Sequence, residues 1–214
     1  MDPAPQDGHE REHDLTVTID LLRQAQGGSQ EALNRLFGRY YERVRRIVRL
    51  RLGTRLRQRV ESSDILQETF IAAIGAFDNF ELRDEASFIN WLARIAERQV
   101  LAAADHHKAQ KRDPDREVSI HRDADNSDFG IDPVATGLLP QDQLARAEQT
   151  AAVEACIATL PEAYRELIIL RNYAGSSWES VAEQTGRPSA AAARMMHAKA
   201  IVELGKAVRR AMPG

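Results

Sequence analysis

Cysteine is almost absent: Cys156 stands alone in 214 residues. One thiol closes no disulfide and supplies no cysteine zinc site. Its place in the helical pattern "AAVEACIATL" makes it a buried structural thiol. Aromatics are scarce, at 6%. Long hydrophobic runs are missing too, since no apolar stretch approaches the ~20 residues of a membrane-spanning helix. No membrane segment is expected. The opening "MDPAPQDGHEREHD" is polar and acidic, unlike a signal peptide. Residues 1–14 therefore read as a disordered leader, and the protein as cytoplasmic. There is no glycine-rich phosphate loop and no nucleophile motif, so the chain is not read as an enzyme, and no cofactor is expected.

Metal chemistry finds little support. "HRDADNSDFG" (121–130) has the look of a calcium loop. It lacks glycine at the sixth position, and the twelfth position counted from Asp123 is Val134, not Glu. Asp105, His106 and His107 sit together, but adjacent histidines on a helix diverge and no partner lies four residues on. No metal ligand is assigned.

What is there is helix. Strand signals are nearly absent, and apolar residues recur at helical spacing almost throughout. One helix fits "TIDLLRQAQ", closed by Gly27 and Gly28. Ser29 caps a second, whose buried face carries Leu33, Phe37, Tyr40, Val44, Ile47 and Val48, and Gly53 ends it. A third runs from about Asp64 to Phe77 and a fourth from about Glu85. After Lys111 the pattern fails. Three prolines, two glycines and scattered aspartates between Asp113 and Asp142 read as a flexible acidic linker. Periodicity resumes at about Leu144. The expected fold is all-α: two small helical domains, 15–112 and 144–214, joined by the linker 113–143. A loop of that length is unusual within one compact domain.

In the second domain, "LPEAYRELIILRNYAG" is a helix with Pro161 in its first turn, Gly175 past its end, and Tyr164, Leu167 and Ile168 as its buried stripe. A short helix, Trp178 to Gln184, a turn with Gly186, and a longer helix from about Pro188–Ser189 follow. That order is the helix-turn-helix signature. The long helix carries Arg194, His197, Lys199, Lys206, Arg209 and Arg210 against one acid, Glu203. Its start is built from small residues, Ala190 to Ala193, which let a recognition helix approach base edges. The plainer reading is a basic amphipathic helix in a three-helix bundle.

The first domain is divided by charge. "RVRRIVRLRLGTRLRQR" (43–59) is crowded with arginine, yet Ser62 to Phe80 holds no Lys or Arg. "DILQ" reads as a capping box, with Asp64 as cap and Gln67 reaching back. Glu68 has no basic residue three or four positions away. Asp64, Gln67, Glu68 and Ile71 share a face opposite Leu66, Phe70 and Ala73. An acidic stripe of this kind suits a basic protein partner. Further on, Phe77, Phe80, Phe88 and Trp91 interleave with Arg83, Arg94 and Arg98. Aromatics among cations suit unstacked, single-stranded bases. Phe88, Leu92 and Ile95 recur at core spacing, so Phe88 is read as core; Trp91 and the 78–81 turn stay open between core and base contact.

"DILQETFIAAIGAFDNF" followed by "SFINWLARIAERQV" resembles conserved region two of bacterial sigma factors. "LPEAYRELIILRNYAGSSWESVAEQTGRPSAAAARMMHAKAIVEL" resembles region four. Two helical domains and a variable linker are the layout of the extracytoplasmic-function (ECF) group, and the sequence is especially similar to versions abundant in planctomycetes. The resemblance implies that Asp64, Gln67, Glu68 and Ile71 meet the β′ clamp helices of RNA polymerase core, whose β and β′ subunits are the expected partners. It implies that Phe77, Asp78, Asn79 and Phe80 receive a flipped minus-ten base. Trp91, Arg94, Arg98, Lys108, Lys111 and Arg112 would hold the melted strand. Arg187, Ser189, Ala190, Arg194, His197 and Lys199 would meet the minus-thirty-five element of promoter DNA. An anti-sigma factor is a further candidate partner. The sequence departs from the family pattern at "IAER" (95–98), where the family has "IARN", and in a turn before Arg194 that is one residue longer. The alternative is a stand-alone helix-turn-helix regulator with an N-terminal sensor or dimerisation domain, which would bind its operator without polymerase.

Overall fold

The computed structural model describes residues 7–57, 59–81, 85–112 and 140–212. Leader residues 1–6, Arg83, the calcium-loop lookalike and most of the acidic segment lie outside them. Among the described residues there are eight α-helices and no strand, as the periodicity predicts.

The helices are α1 (Asp7–Gln26), α2 (Gln30–Leu56), α3 (Ser62–Gly75) and α4 (Glu85–Arg112). After the acidic segment come α5 (Pro140–Thr159), α6 (Glu162–Ile168), α7 (Trp178–Gln184) and α8 (Ala190–Ala211). α1 begins at Asp7, inside the segment read as leader, and α5 takes in the last residues of the segment read as linker. A short 3₁₀ turn, Phe77–Asn79, follows α3, and a π-helical turn, Ile169–Tyr173, extends α6.

The caps explain most boundaries. Ser29 accepts from the Ala32 amide at 3.2 Å and opens α2. Gly53 does not end α2 as expected. It bends the helix at φ 60, ψ −179, and the chain re-enters helical geometry up to Leu56. Glycine tolerates that positive φ at no steric cost. The capping box at Asp64 is also overturned. α3 starts two residues earlier, with Glu61 in the cap position and no side-chain cap bond, because Ser62 and Ser63 extend the helix backwards. Asp64 lies within the first turn, where the helix dipole favours its charge.

The N-terminal half packs around aromatic rings. Phe88 is fully buried, with the rings of Phe37, Tyr40, Phe77, Phe80 and Trp91 at 5.0–6.5 Å, mostly edge to face. The smaller C-terminal cluster is aliphatic: Leu167, Leu170, Val181, Ala182 and Ala193, with Trp178 and Met196 against it. The two halves also touch. Ile157, Leu160, Ile168, Ile169, Ala174 and Ala200 join the same continuous core as α2 and α4. Cys156 is buried, as its pattern implies. No described helix is long and apolar enough to cross a membrane.

Candidate polymerase and promoter interfaces

α3 is two-faced. Ile65, Leu66, Thr69, Phe70 and Ala73 are buried, and the Thr69 hydroxyl returns to the Ile65 carbonyl at 2.6 Å. Asp64, Gln67, Glu68 and Ile71 are all exposed on the opposite face. Ile71 is 45% exposed, a large apolar side chain set beside two acids. An apolar anchor flanked by carboxylates suits a groove with a basic rim.

The turn after α3 is held at both ends. Phe77 and Phe80 were expected to meet a base; both are instead buried in the aromatic core. The short 3₁₀ turn sends positions 77 and 80 inward and leaves Asp78, Asn79 and Glu81 exposed. Trp91 is half-buried against Phe80 and Phe88, with ring centroids at 4.9 and 5.7 Å. Arg94 and Arg98 are exposed on α4. Lys108, Lys111 and Arg112 belong to the end of α4, but their side chains lie outside the described ones. Glu97 lies 3.8 Å from Arg51. The acid that stands beside Arg98 in this departure from the family pattern thus serves an internal ion pair.

α1 adds residues that the sequence reading missed. A cavity of about 820 Å³ opens between Ile19, Leu22, Arg23 and Gln26 of α1 and Asp78 and Glu81 of the turn. The Gln26 amide donates to the Phe80 carbonyl at 2.8 Å and fixes the turn's far end. No local signal marks Arg23 or Gln26, because they reach the turn only through tertiary packing.

In the C-terminal half, α7 and α8 form the expected helix-turn-helix. Ser177 caps α7 through the Ser180 amide at 3.2 Å. Gly186 takes φ 62 in the turn. Ser189 caps α8 by accepting from the Ala192 amide at 3.2 Å, so its oxygen is already engaged. Ala190 is half-buried at the helix start. Arg187 is half-buried, and its Nε is shielded without a hydrogen-bond partner. Arg194 and Lys199 are exposed. Ala193 and Ala200 are fully buried on the opposite face.

His197 behaves differently from the expectation of a DNA contact. It faces Asn172 Oδ1 at 2.7 Å, and its ring meets Trp178 edge to face at 5.2 Å. Burial first, and then the Arg171 charge, hold its pKa below the ordinary histidine value. It is therefore neutral near pH 7 and packs the turn rather than supplying charge. Arg171 lies 4.7 Å from the Trp178 ring centre and Arg194 5.9 Å from it. Arg171 also donates to the Ser176 carbonyl at 2.8 Å. This Trp178 platform against α8 is a second feature that the sequence reading passed over.

Fold and surface together define a two-part helical protein with a helix-turn-helix in its second half. The model of the family described as "ECF sigma factor" matches residues 15–203, and the chain belongs to that family. It is 32% identical to the ECF RNA polymerase sigma-E factor of Haemophilus influenzae over 186 residues, 86% of this chain and 92% of that one. It is 31% identical to the RNA polymerase sigma-H factor of Pseudomonas aeruginosa, over 76% of this chain and 79% of the other. Among solved structures it is similar to CnrH, determined in complex with the cytosolic domain of CnrY. The TM-score is 0.51 at 21% identity, over 89% of this chain and 96% of that one.

Proposed function

We propose that the chain is a planctomycete-like sigma factor that binds RNA polymerase core and directs promoter recognition, DNA melting and initiation in the cytoplasm, without catalysing a reaction itself. The observation that carries this is one family match spanning both halves of a chain whose α3 turns Asp64, Gln67, Glu68 and Ile71 outward. That face docks on the β′ clamp helices, and region two spans residues 15–112. The minus-ten base enters beside Asp78 and Asn79, with Arg23 and Gln26 of α1 as the far wall. Arg94 and Arg98, with Trp91 behind them, track the melted strand. Residues 144–214 act as region four. There Arg187, Ala190 and Arg194 face base edges and Lys199 faces a phosphate. The acidic segment 113–143 tethers the two. An anti-sigma factor is a further partner of this reading.

A stand-alone regulator is not favoured, because the sigma match does not stop at the helix-turn-helix. Reconstitution decides between them. With core polymerase the chain should give promoter-dependent transcripts, while alone it should bind the same DNA weakly. Tight operator binding by the isolated chain, with no transcripts from holoenzyme, would overturn the proposal.

A further inference from the structure

Through most of its length, the outermost line of α8 is apolar rather than basic. Ala191, Met195, Ala198 and Val202 follow one another at steps of four, three and four residues, which sets them in one row along a helix. All four are exposed, Met195 by 66% and Val202 by 56%. The row lies opposite Ala193 and Ala200, which are fully buried. Scattered apolar side chains are ordinary on a surface, but a contiguous row marks a face that something covers.

The charge around the row says what covers it. Arg194 stands immediately before Met195 and Lys199 one turn after it, and both are exposed. Arg209 and Arg210 lie in the last turn of the helix. The one acid of α8, Glu203, is held by Lys206 at 2.7 Å. A basic protein surface would be repelled here, and an anionic one attracted. An anionic body with a partly apolar strip between two charged rails is the DNA major groove, where phosphates flank the base edges.

Within that groove the thioether of Met195 donates no hydrogen bond and accepts only weakly. A base edge presenting N7, O6 or N4 would lose a hydrogen bond to water against it. Thymine alone places a methyl group there. The unbranched, polarizable side chain adapts to the group it packs on. Ala191 and Ala198 on either side are short enough to let it reach the groove floor. Other polar groups nearby are already engaged: the Ser189 oxygen caps α8, and His197 is bonded to Asn172. Met195 is the sixth residue of α8, in the N-terminal part of a recognition helix that meets base edges. Val202 lies about 10 Å further along the axis.

We infer that Met195 is a specificity-determining residue whose thioether packs on the 5-methyl group of a thymine in the minus-thirty-five element, between the contacts of Arg194 and Lys199. The inference rests on the proposed function for the promoter, while the thymine contact needs only that α8 enter a major groove.

Uracil in place of thymine removes that methyl group and nothing else. Holoenzyme first selects its promoter from duplexes randomised over the minus-thirty-five element. Each T·A pair of the selected element is then changed in turn to U·A, and affinity is measured. Wild type should lose about fourfold at one pair, the worth of one buried methyl group. At that pair Met195→Ala should bind thymine and uracil duplexes equally, whereas Met195→Leu should still prefer thymine. Both variants should keep the wild-type salt slope, because no phosphate contact is lost. Both should also keep their helical circular dichroism, because the side chain is exposed. An element without a T·A pair, no uracil penalty in wild type, or the same penalty in Met195→Ala would overturn the inference. So would light scattering that shows a wild-type dimer and a Met195→Ala monomer, since a second copy would then cover the row. In each of these cases a holoenzyme that initiates from the selected promoter leaves the sigma function standing. If no promoter-dependent transcript forms, that function falls. The uracil series is then run on duplexes selected by the chain alone, where the same single penalty should appear and its absence would overturn the thymine contact as well.

Discussion

The two halves present their proposed contact surfaces in opposite ways. In the N-terminal half a short turn is pinned from within: Phe77 and Phe80 enter a cluster of rings around Phe88, and Asp78 and Asn79 are thrust outward between them. In the C-terminal half a long helix lies on a thin aliphatic layer, with Ala193 and Ala200 letting it sit close. A turn proposed to receive one base needs its ends fixed, and large rings at both ends supply that. A helix that enters a groove needs one face clear along its length, and small residues on its underside supply that. The second half consequently has little core of its own and shares one with α2.

Phe88→Ala should break the contrast most severely. The ring is fully buried among five others, so its loss should cost about 3–5 kcal/mol. Denaturant melts would read this, and open-complex formation should suffer with the turn. A variant as stable as wild type would mean that the rings do not hold it.

Base contacts should each cost less. Asn79→Ala should leave polymerase binding intact and slow open-complex formation, by about 1–3 kcal/mol. Arg194→Ala should relax discrimination at one minus-thirty-five base pair by about 1–3 kcal/mol. Lys199→Ala should instead weaken all promoters evenly and lower the salt slope by about one. Promoter binding across single-base variants at two salt concentrations separates these; a uniform loss in Arg194→Ala would remove it from sequence reading.

The smallest effect is that of pH on the C-terminal half. The folded pKa of His197 lies below its ordinary value of 6.5, so the unfolded chain binds the extra proton first. Stability contributed at this site is full above about pH 6.5 and falls as pH drops from there through the folded value. His197→Gln should flatten that part of the stability profile. An unchanged slope would show that the ring does not titrate as its burial implies.

Much of this was legible in the sequence. Apolar spacing gave the helices, and the run Trp178 to Gln184, Gly186 and Pro188–Ser189 marked the helix-turn-helix to within a residue or two. The exposed face of α3 followed from its lack of cations. Other features were not legible. "FDNF" carries aromatics at both ends, and only the fold shows that both turn inward. His197 looked like one more cation until Asn172 and Trp178 were placed beside it. Glu97 and Arg51 are 46 positions apart, and Arg51 and Glu166 are 115 apart. Pairs at such separation leave no periodic trace.

The proposed function requires α3 to meet polymerase while α8 meets DNA. Competition for core enzyme by Glu68→Lys and Lys199→Ala, side by side with helical circular dichroism, tests that division. Glu68→Lys should lose about 2–5 kcal/mol of affinity for core with its fold intact, and Lys199→Ala should compete as well as wild type. Equal competition by Glu68→Lys would contradict the assignment of the acidic face.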